Sequence, residues 1–394
     1  MAAAPPFPRR CPRRLARPLR WLLGCLALLS ALSFLVGGGY EELLSRSLPL
    51  LLPGQPLAAA AAARPPPPAA AFALSPPACA AAAGAPGLLV LVASAAGHAA
   101  RRAAVRASWG SAREAGGLAV RTVFVVGLPA EEEEEAALQA ALEREAAERG
   151  DLLQGRFADT YANLTLKTLA LLGWAAARCP AARFVLKADD DVFLNLPALG
   201  RHLRTLDAAE RLYLGRVHWR AAPSRDPASR HYVPAALYPE PAFPPYCSGT
   251  AYVLSGPAAA AVLAAARHLP PLPLEDVFVG LCARRAGLFP RHLARMAGSA
   301  RFPPDPCCYR EVLYSAHRVT PAQMLAMAAQ PPRPCSAWHR LLGLARCKAI
   351  SWLAGDDGGE ATAGPGPPRK AAALRRRTEQ GASRSSVFPA ALPR

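Results

Sequence analysis

Between its two basic ends the sequence carries no homeodomain, zinc-finger or RNP-like motif. It also has no CxxC pair, no second apolar run as long as the first, and a single N-glycosylation sequon. The first absence matters because 46 Lys and Arg against 28 Asp and Glu give a formal charge of +18, a balance that can signal nucleic acid. The charge lies at the ends. Arg9, Arg10, Arg13, Arg14, Arg17 and Arg20 crowd one terminus, and Arg369, Lys370, Arg375, Arg376, Arg377 and Arg384 crowd the other. Nucleic acid is therefore not an expected partner. Without CxxC pairs, zinc or thioredoxin-like chemistry is a poor use for the cysteines. Structural disulfides among Cys79, Cys179, Cys247, Cys282, Cys307, Cys308, Cys335 and Cys347 are expected instead, in an oxidising lumen. Their spacing leaves the pairing open.

The apolar run that is present, WLLGCLALLSALSFLVGGGY, extends from Trp21 to Tyr40 without a charge. It is about the length that crosses a bilayer. The arginines before it predict a cytoplasmic tail at 1–20 and an anchor at 21–40, with the rest of the chain lumenal. A cleaved signal peptide is the alternative. Such a peptide has an apolar core of ~7–15 residues and an A-x-A-like cleavage site, whereas GGGYEELL is a poor one. Residues 41–84, rich in Ala and Pro, read as a low-complexity stem. Residues 85–354 read as the lumenal globular domain and 355–394 as a disordered basic tail. The sequon Asn163-Leu164-Thr165 makes Asn163 the expected glycosylation site.

Within the globular stretch, strand-like and helix-like runs alternate. GLLVLVAS, RTVFVVG and RFVLK read as strands. HAARRAAVRASWG, EEEEEAALQAALEREAAERG and NLTLKTLALLGWAAARC read as helices, the last with Asn163 as a cap. This alternation predicts an α/β domain with a mostly parallel central sheet. Asp189, Asp190 and Asp191 follow RFVLK directly, at the strand end where open sheets bind ligands. Three adjacent carboxylates repel unless a cation or solvent relieves them. A hard divalent cation takes such oxygens together with phosphate and water. A solvated acidic turn is the plainer alternative.

RRAAVRASWG (101–110), FADTYANLTLKT (157–168), RFVLKADDDVFLN (183–195), YLGRVHW (213–219), YCSGTAYVLS (246–255), LEDVFVGLCARRAGL (274–288) and YSAHRVTPAQM (314–324) occur in that order. Together they resemble the β1,3-galactosyltransferase and β1,3-N-acetylglucosaminyltransferase family over about residues 85–350. The resemblance implies a GT-A glycosyltransferase domain that inverts the anomeric carbon, uses Mn²⁺ or Mg²⁺, and takes UDP-galactose as donor. It implies Asp191 as a direct metal ligand, Asp189 acting through water, Asp190 on the donor sugar or ribose, and His317 completing the metal or diphosphate site. It puts the general base on Asp276, which could instead cap the helix it begins. It places Arg102, Arg106 and Trp109 at the nucleotide end, Asp159 and Lys167 on the same wall, and Gly249 where backbone nears the donor sugar. The implied protein is a single-pass type II Golgi membrane enzyme. It would transfer galactose in β1,3 linkage to the terminal N-acetylgalactosamine of a glycolipid, as in ganglioside biosynthesis. The alternatives are a β1,3-N-acetylglucosaminyltransferase of the same family and a non-catalytic, membrane-anchored glycan-binding protein.

Overall fold

The computed structural model describes residues 13–51, 72–79, 85–129, 135–330 and 335–353. Residues 1–12, most of the expected stem and the expected tail at 355–394 lie outside the described residues. The strands are β1 (Phe72–Leu74), β2 (Leu88–Ala93), β3 (Glu114–Ala115), β4 (Leu118–Leu128), β5 (Leu152–Ala158), β6 (Phe184–Asp189), β7 (Phe193–Leu194), β8 (Tyr213–His218), β9 (Tyr246–Ser255), β10 (Arg291–His292) and β11 (Ser315–Ala316). The helices are α1 (Arg13–Val36), α2 (Gly39–Leu51), α3 (Ala99–Arg106), α4 (Glu135–Arg149), α5 (Leu164–Arg178), α6 (Leu196–Leu203), α7 (Gly256–Ala266), α8 (Glu275–Arg285), α9 (Pro321–Ala329) and α10 (Ala337–Leu353).

One sheet organises the domain, in the order β1-β5-β4-β2-β6-β9-β8-β10, with β3 paired on β4. Its centre, β5-β4-β2-β6, is parallel. Beyond β6 the direction changes: β9 runs antiparallel to both β6 and β8. The reason for the central position of β2 is visible in its sequence. LLVLVA is buried at every residue, as a strand covered on both faces must be. Leu88, Val90 and Val92 enter one apolar cluster with α3 residues Ala104 and Val105. Leu89 and Leu91 enter the other with α5 residues Leu171 and Trp174. Period-two alternation thus feeds two cores, one on each face of the sheet.

The sheet begins upstream of the boundary expected at residue 85. β1 pairs antiparallel with β5 on its edge, and Cys79 is bridged to Cys179 at the end of α5. Two further disulfides, Cys307–Cys335 and Cys308–Cys347, fasten the C-terminal segment. Cys247 and Cys282, expected among the bridged cysteines, are unpaired and buried. Both sit in the apolar cluster on the α5 face, and burial pushes both thiols above their ordinary ionisation range.

The expected membrane span at 21–40 is broken in the structure. Gly38 takes φ +79 between α1 and α2, a conformation glycine adopts without a Cβ penalty. The two helices meet at a bend of 67°. Among the described residues, no single helix is long and apolar enough to cross a membrane, although this bent pair passes the same test together. α2 docks on the edge of the sheet. Ser45 Oγ accepts the His292 N–H at 2.9 Å, and Glu42 Oε1 accepts the Ala294 N–H at 2.9 Å. Glu41 Oε2 lies 3.0 Å from His292 Nε2 and 3.1 Å from Arg216 Nη1. Edge strands leave donors such as these exposed; here side chains of α2 cover them.

Candidate active site

β6 carries the acidic triplet to the C-terminal end of the parallel strands, and its three carboxylates face different partners. Asp190 is buried and points back into the domain. Its carboxylate accepts Ser94 Oγ at 2.7 Å and Arg101 Nη1 at 3.1 Å, and meets His98 Nδ1 at 2.8 Å. It fastens the end of β6 to the loop between β2 and α3. Asp189 and Asp191 gather with a third residue. His317 joins them because β11 pairs with β7, Ser315 opposite Leu194 and Ala316 opposite Phe193. The Val319 N–H then donates to the Asp191 carbonyl at 2.8 Å.

Ligand atoms of Asp189, Asp191 and His317 all lie within 4.8 Å of one another. His317 Nε2 is 3.6 Å from Asp191 Oδ1, and its buried Nδ1 has no hydrogen-bond partner. Burial pushes the imidazole below its ordinary value, against the pull of Asp191 and Asp189. The neutral ring is the form that ligates metal. Burial also raises Asp189, against the nearby Lys187 ammonium. Two carboxylate oxygens and an imidazole nitrogen suit Mn²⁺ and, less readily, Mg²⁺, so these residues fit the expected cation.

Asp276 and Glu275 open α8 side by side but occupy different surroundings. The helix cap position is Leu274, with no side-chain capping bond; Asp276 is the next residue but one, and its Oδ1 accepts the Val277 N–H of the first turn at 2.9 Å. Glu275 is 7% exposed and fully engaged. Its Oε1 accepts Tyr252 Oη at 2.7 Å and Thr168 Oγ1 at 3.0 Å, while Oε2 lies 3.5 Å from Lys187 Nζ. Burial lifts its carboxyl above the usual range. Asp276 is half-buried, and its Oδ2 accepts the Gly249 N–H at 3.0 Å. Of the two, Asp276 is the carboxylate left accessible to a substrate hydroxyl.

Residues 100–294 match the family model for galactosyltransferase. Mouse beta-1,3-galactosyltransferase 4 is 43% identical over 292 residues, covering 65% of this chain and 77% of that protein. The chain belongs to the galactosyltransferase family. The human beta-1,3-galactosyltransferase 4 is also 43% identical, over 64% of this chain and 77% of its own length. A human acetylgalactosaminyl-O-glycosyl-glycoprotein beta-1,3-N-acetylglucosaminyltransferase is 43% identical over 62% of this chain and 66% of its own length. In this family member the triplet and Asp276 lie inside the matched stretch. His317 lies beyond it and reaches the site through the β7–β11 ribbon.

The remaining expected donor-binding residues have the following surroundings. Arg102 is 1% exposed. It forms paired bonds of 2.8 and 2.7 Å to Glu145 on α4, and donates to the carbonyls of Ala95 and Ala96 at 2.6 and 3.2 Å. Arg106, one turn on, bonds Asp151 and Glu145 and lies 4.4 Å over the Phe124 ring. The face they share is turned into α4 and the core, so neither guanidinium reaches the triplet. Trp109 is buried in the apolar cluster on the α3 face. Arg101, on the adjoining face of α3, does reach the triplet, at Asp190 and 3.7 Å from Asp191.

Lys167 and Asp159 are buried together at 2.6 Å. Lys167 Nζ donates to the Ser94 carbonyl at 2.5 Å, and Asp159 Oδ2 accepts the N–H groups of Gly127 and Ala96. They brace the loop that presents Ser94 to Asp190. Gly249 is explained by crowding: a Cβ there would lie 2.9 Å from Glu275 Oε2 and 3.3 Å from Asp276 Oδ2. Asn163 does not cap α5; its Nδ2 donates to the Ala158 carbonyl at 2.9 Å. Ser94, His98, Arg101 and Lys187 were not legible as site residues, whereas LEDVFVG offered Glu275 beside Asp276. The one signal for Lys187 was a cation inside an otherwise apolar strand run.

Proposed function

We propose that this protein is an inverting transferase of GT-A type that moves galactose from UDP-galactose onto the terminal N-acetylgalactosamine of a glycolipid, in β1,3 linkage. The observation that carries this reading is the division of the acidic residues into two groups. Asp189, Asp191 and His317 gather at one strand end, and Asp276 stands apart on α8, held by Gly249.

The chemistry follows from that division. Asp276 takes the proton from the acceptor hydroxyl as its oxygen attacks the anomeric carbon. The bond to the UDP oxygen breaks, and its electron pair leaves with the diphosphate. A single displacement of this kind inverts the centre and needs a base on the acceptor side. Asp189, Asp191 and His317 would hold a divalent cation, which would supply Lewis-acid stabilisation of the departing diphosphate. Arg101, part-exposed beside Asp190 and 3.7 Å from Asp191, adds positive charge at the triplet.

The named relatives support galactose as the sugar transferred. The N-acetylglucosaminyltransferase relative, equally identical, favours a second reading in which N-acetylglucosamine is moved. Disulfides support an oxidising compartment. The apolar, exposed α1 and the arginines before it support a type II Golgi membrane protein. The deciding experiment incubates the purified protein with UDP-galactose and UDP-N-acetylglucosamine in parallel, against glycolipids and glycoproteins ending in N-acetylgalactosamine. Galactose in β1,3 linkage on the glycolipid is expected. Exclusive transfer of N-acetylglucosamine supports the second reading, and glycan binding without turnover of either donor supports a non-catalytic binding protein.

A further inference from the structure

Lys187 sits two residues from the end of β6, on the face where Val185 is buried in apolar surroundings. It is 4% exposed. An ammonium there is costly unless it is fully partnered. It finds three acceptors on three elements: Asp189 Oδ1 at 2.7 Å on its own strand, the Gly249 carbonyl on β9, and Glu275 Oε2 at 3.5 Å on α8. Burial alone would lower its ionisation range; the surrounding carboxylates raise it instead.

The Gly249 contact matters because ordinary sheet bonding lapses at that residue. The β6–β9 ladder ends with Ala188 opposite Ala251. The β8–β9 ladder jumps from Gly215 opposite Tyr252 to Val217 opposite Cys247. Gly249 lies past the end of the first ladder and in the gap of the second. Its N–H goes to Asp276 and its carbonyl goes to Lys187. A continuous chain of contacts therefore runs Asp189–Lys187–Gly249–Asp276, from the cation-binding group to the base.

We infer that Lys187 is a positioning residue that sets Asp189 and Asp276 in register with each other, so that leaving group and base are aligned in one step. The inference rests on the proposed transfer reaction. Its rival is that Lys187 is merely the counter-charge of buried Glu275. Misplacing a reacting group by about 1 Å costs ~10²-fold in rate. Loss of a partner that orients a metal-binding carboxylate costs about 10- to 100-fold in metal affinity.

The test uses the full-length chain in detergent as wild type, Lys187→Met, Glu275→Gln, the double variant and Lys187→Arg. Melting temperature, Mn²⁺ affinity in the presence of UDP, and kcat with both KM values are measured for each. Lys187→Met leaves a buried carboxylate unpaired and is expected to melt lower. The double variant removes both buried charges, so its melting temperature is expected to recover most of that loss. Its kcat is expected to stay ~10²-fold down, with Mn²⁺ affinity about 10-fold weaker. Recovery of kcat and Mn²⁺ affinity along with stability overturns the inference and leaves Lys187 a counter-charge. Should the double variant not fold, Lys187→Arg decides. It keeps the charge but not the shape, and wild-type kcat and Mn²⁺ affinity in it also overturn the inference. If the wild type turns over no nucleotide sugar, the transfer reading fails, while Mn²⁺ and UDP affinities across the same proteins still test whether Lys187 orients Asp189.

Discussion

The Gly249 N–H donates to Asp276 Oδ2 at 3.0 Å, so a backbone donor, not a second side chain, fixes the orientation of the accessible carboxylate. The other oxygen, Oδ1, accepts the Val277 N–H at 2.9 Å, so Asp276→Asn keeps an acceptor for one of the two backbone donors. Its melting temperature is therefore expected to fall modestly, while kcat falls by roughly 10²–10⁴, the range for lost general-base catalysis. UDP affinity is expected to hold, because the base acts mainly in the transition state. Glu275→Gln is the contrast. It weakens the partner of buried Lys187, so its effect is expected in melting temperature more than in rate. Native turnover in Asp276→Asn, with turnover lost in Glu275→Gln, would move the base to Glu275.

Asp191 precedes β7 and His317 follows β11, the two strands of one ribbon, and their closeness invites a metal test. Asp191→Ala is expected to abolish transfer while the protein stays folded, since removing one of three clustered acids and bases lowers repulsion at Asp189. EDTA is expected to silence the native enzyme, and Mn²⁺ to restore it. Full activity in excess chelator would show that the cluster holds no required cation.

α2 yields a stability prediction with a pH signature. In Ser45→Ala the buried His292 N–H loses its acceptor, at a cost of about 1–3 kcal/mol. Burial would raise the Glu41 carboxyl, but the His292 hydrogen bond and the charges of Arg216, His292 and Lys348 hold it at about 2. A depressed carboxylate stabilises the fold fully above its ordinary value of 4.5 and loses that effect as pH falls toward about 2. The melting difference between wild type and Glu41→Gln should therefore narrow across that window. A constant difference would show that Glu41 gains nothing from its partners.

The cysteines divide sharply. Peptide mapping without reduction is expected to return Cys79–Cys179, Cys307–Cys335 and Cys308–Cys347. The first closes a separation of 100 residues, and Cys179→Ser is expected to cost about 2–5 kcal/mol. Alkylation of the native protein should spare Cys247 and Cys282, which become reactive on unfolding. Labelling of either at native rates would contradict their burial.

For topology, the expected outcome is a membrane-anchored chain with an endoglycosidase-sensitive glycan at Asn163. Thr165, the other half of the sequon, is buried with its hydroxyl on the Leu272 carbonyl. Asn163→Gln should therefore remove the glycan with little loss of stability, whereas Thr165→Ala removes the glycan and also lowers the melting temperature. Secretion of a chain beginning near residue 40 would show that the apolar run is a cleaved signal.

The sequence by itself determined the parallel centre of the sheet, because strand and helix runs alternate and LLVLVA can be satisfied at every position only between two apolar layers. It also determined that the triplet ends a strand, since three carboxylates cannot continue into that core. Other features were decided only by the tertiary structure. Helical spacing put Arg102 and Arg106 on one face of α3, yet it could not say that this face meets Glu145 while Arg101 meets the triplet. Strand periodicity put Lys187 inside, yet its partners come from α8 and from Gly249, past the end of one ladder and in the gap of another. Cys79 met Cys179, and His317 met Asp191, across long stretches of chain. Local patterns fix which way a side chain faces; what it faces depends on how separate elements pack, and that is where the charges of this site find one another.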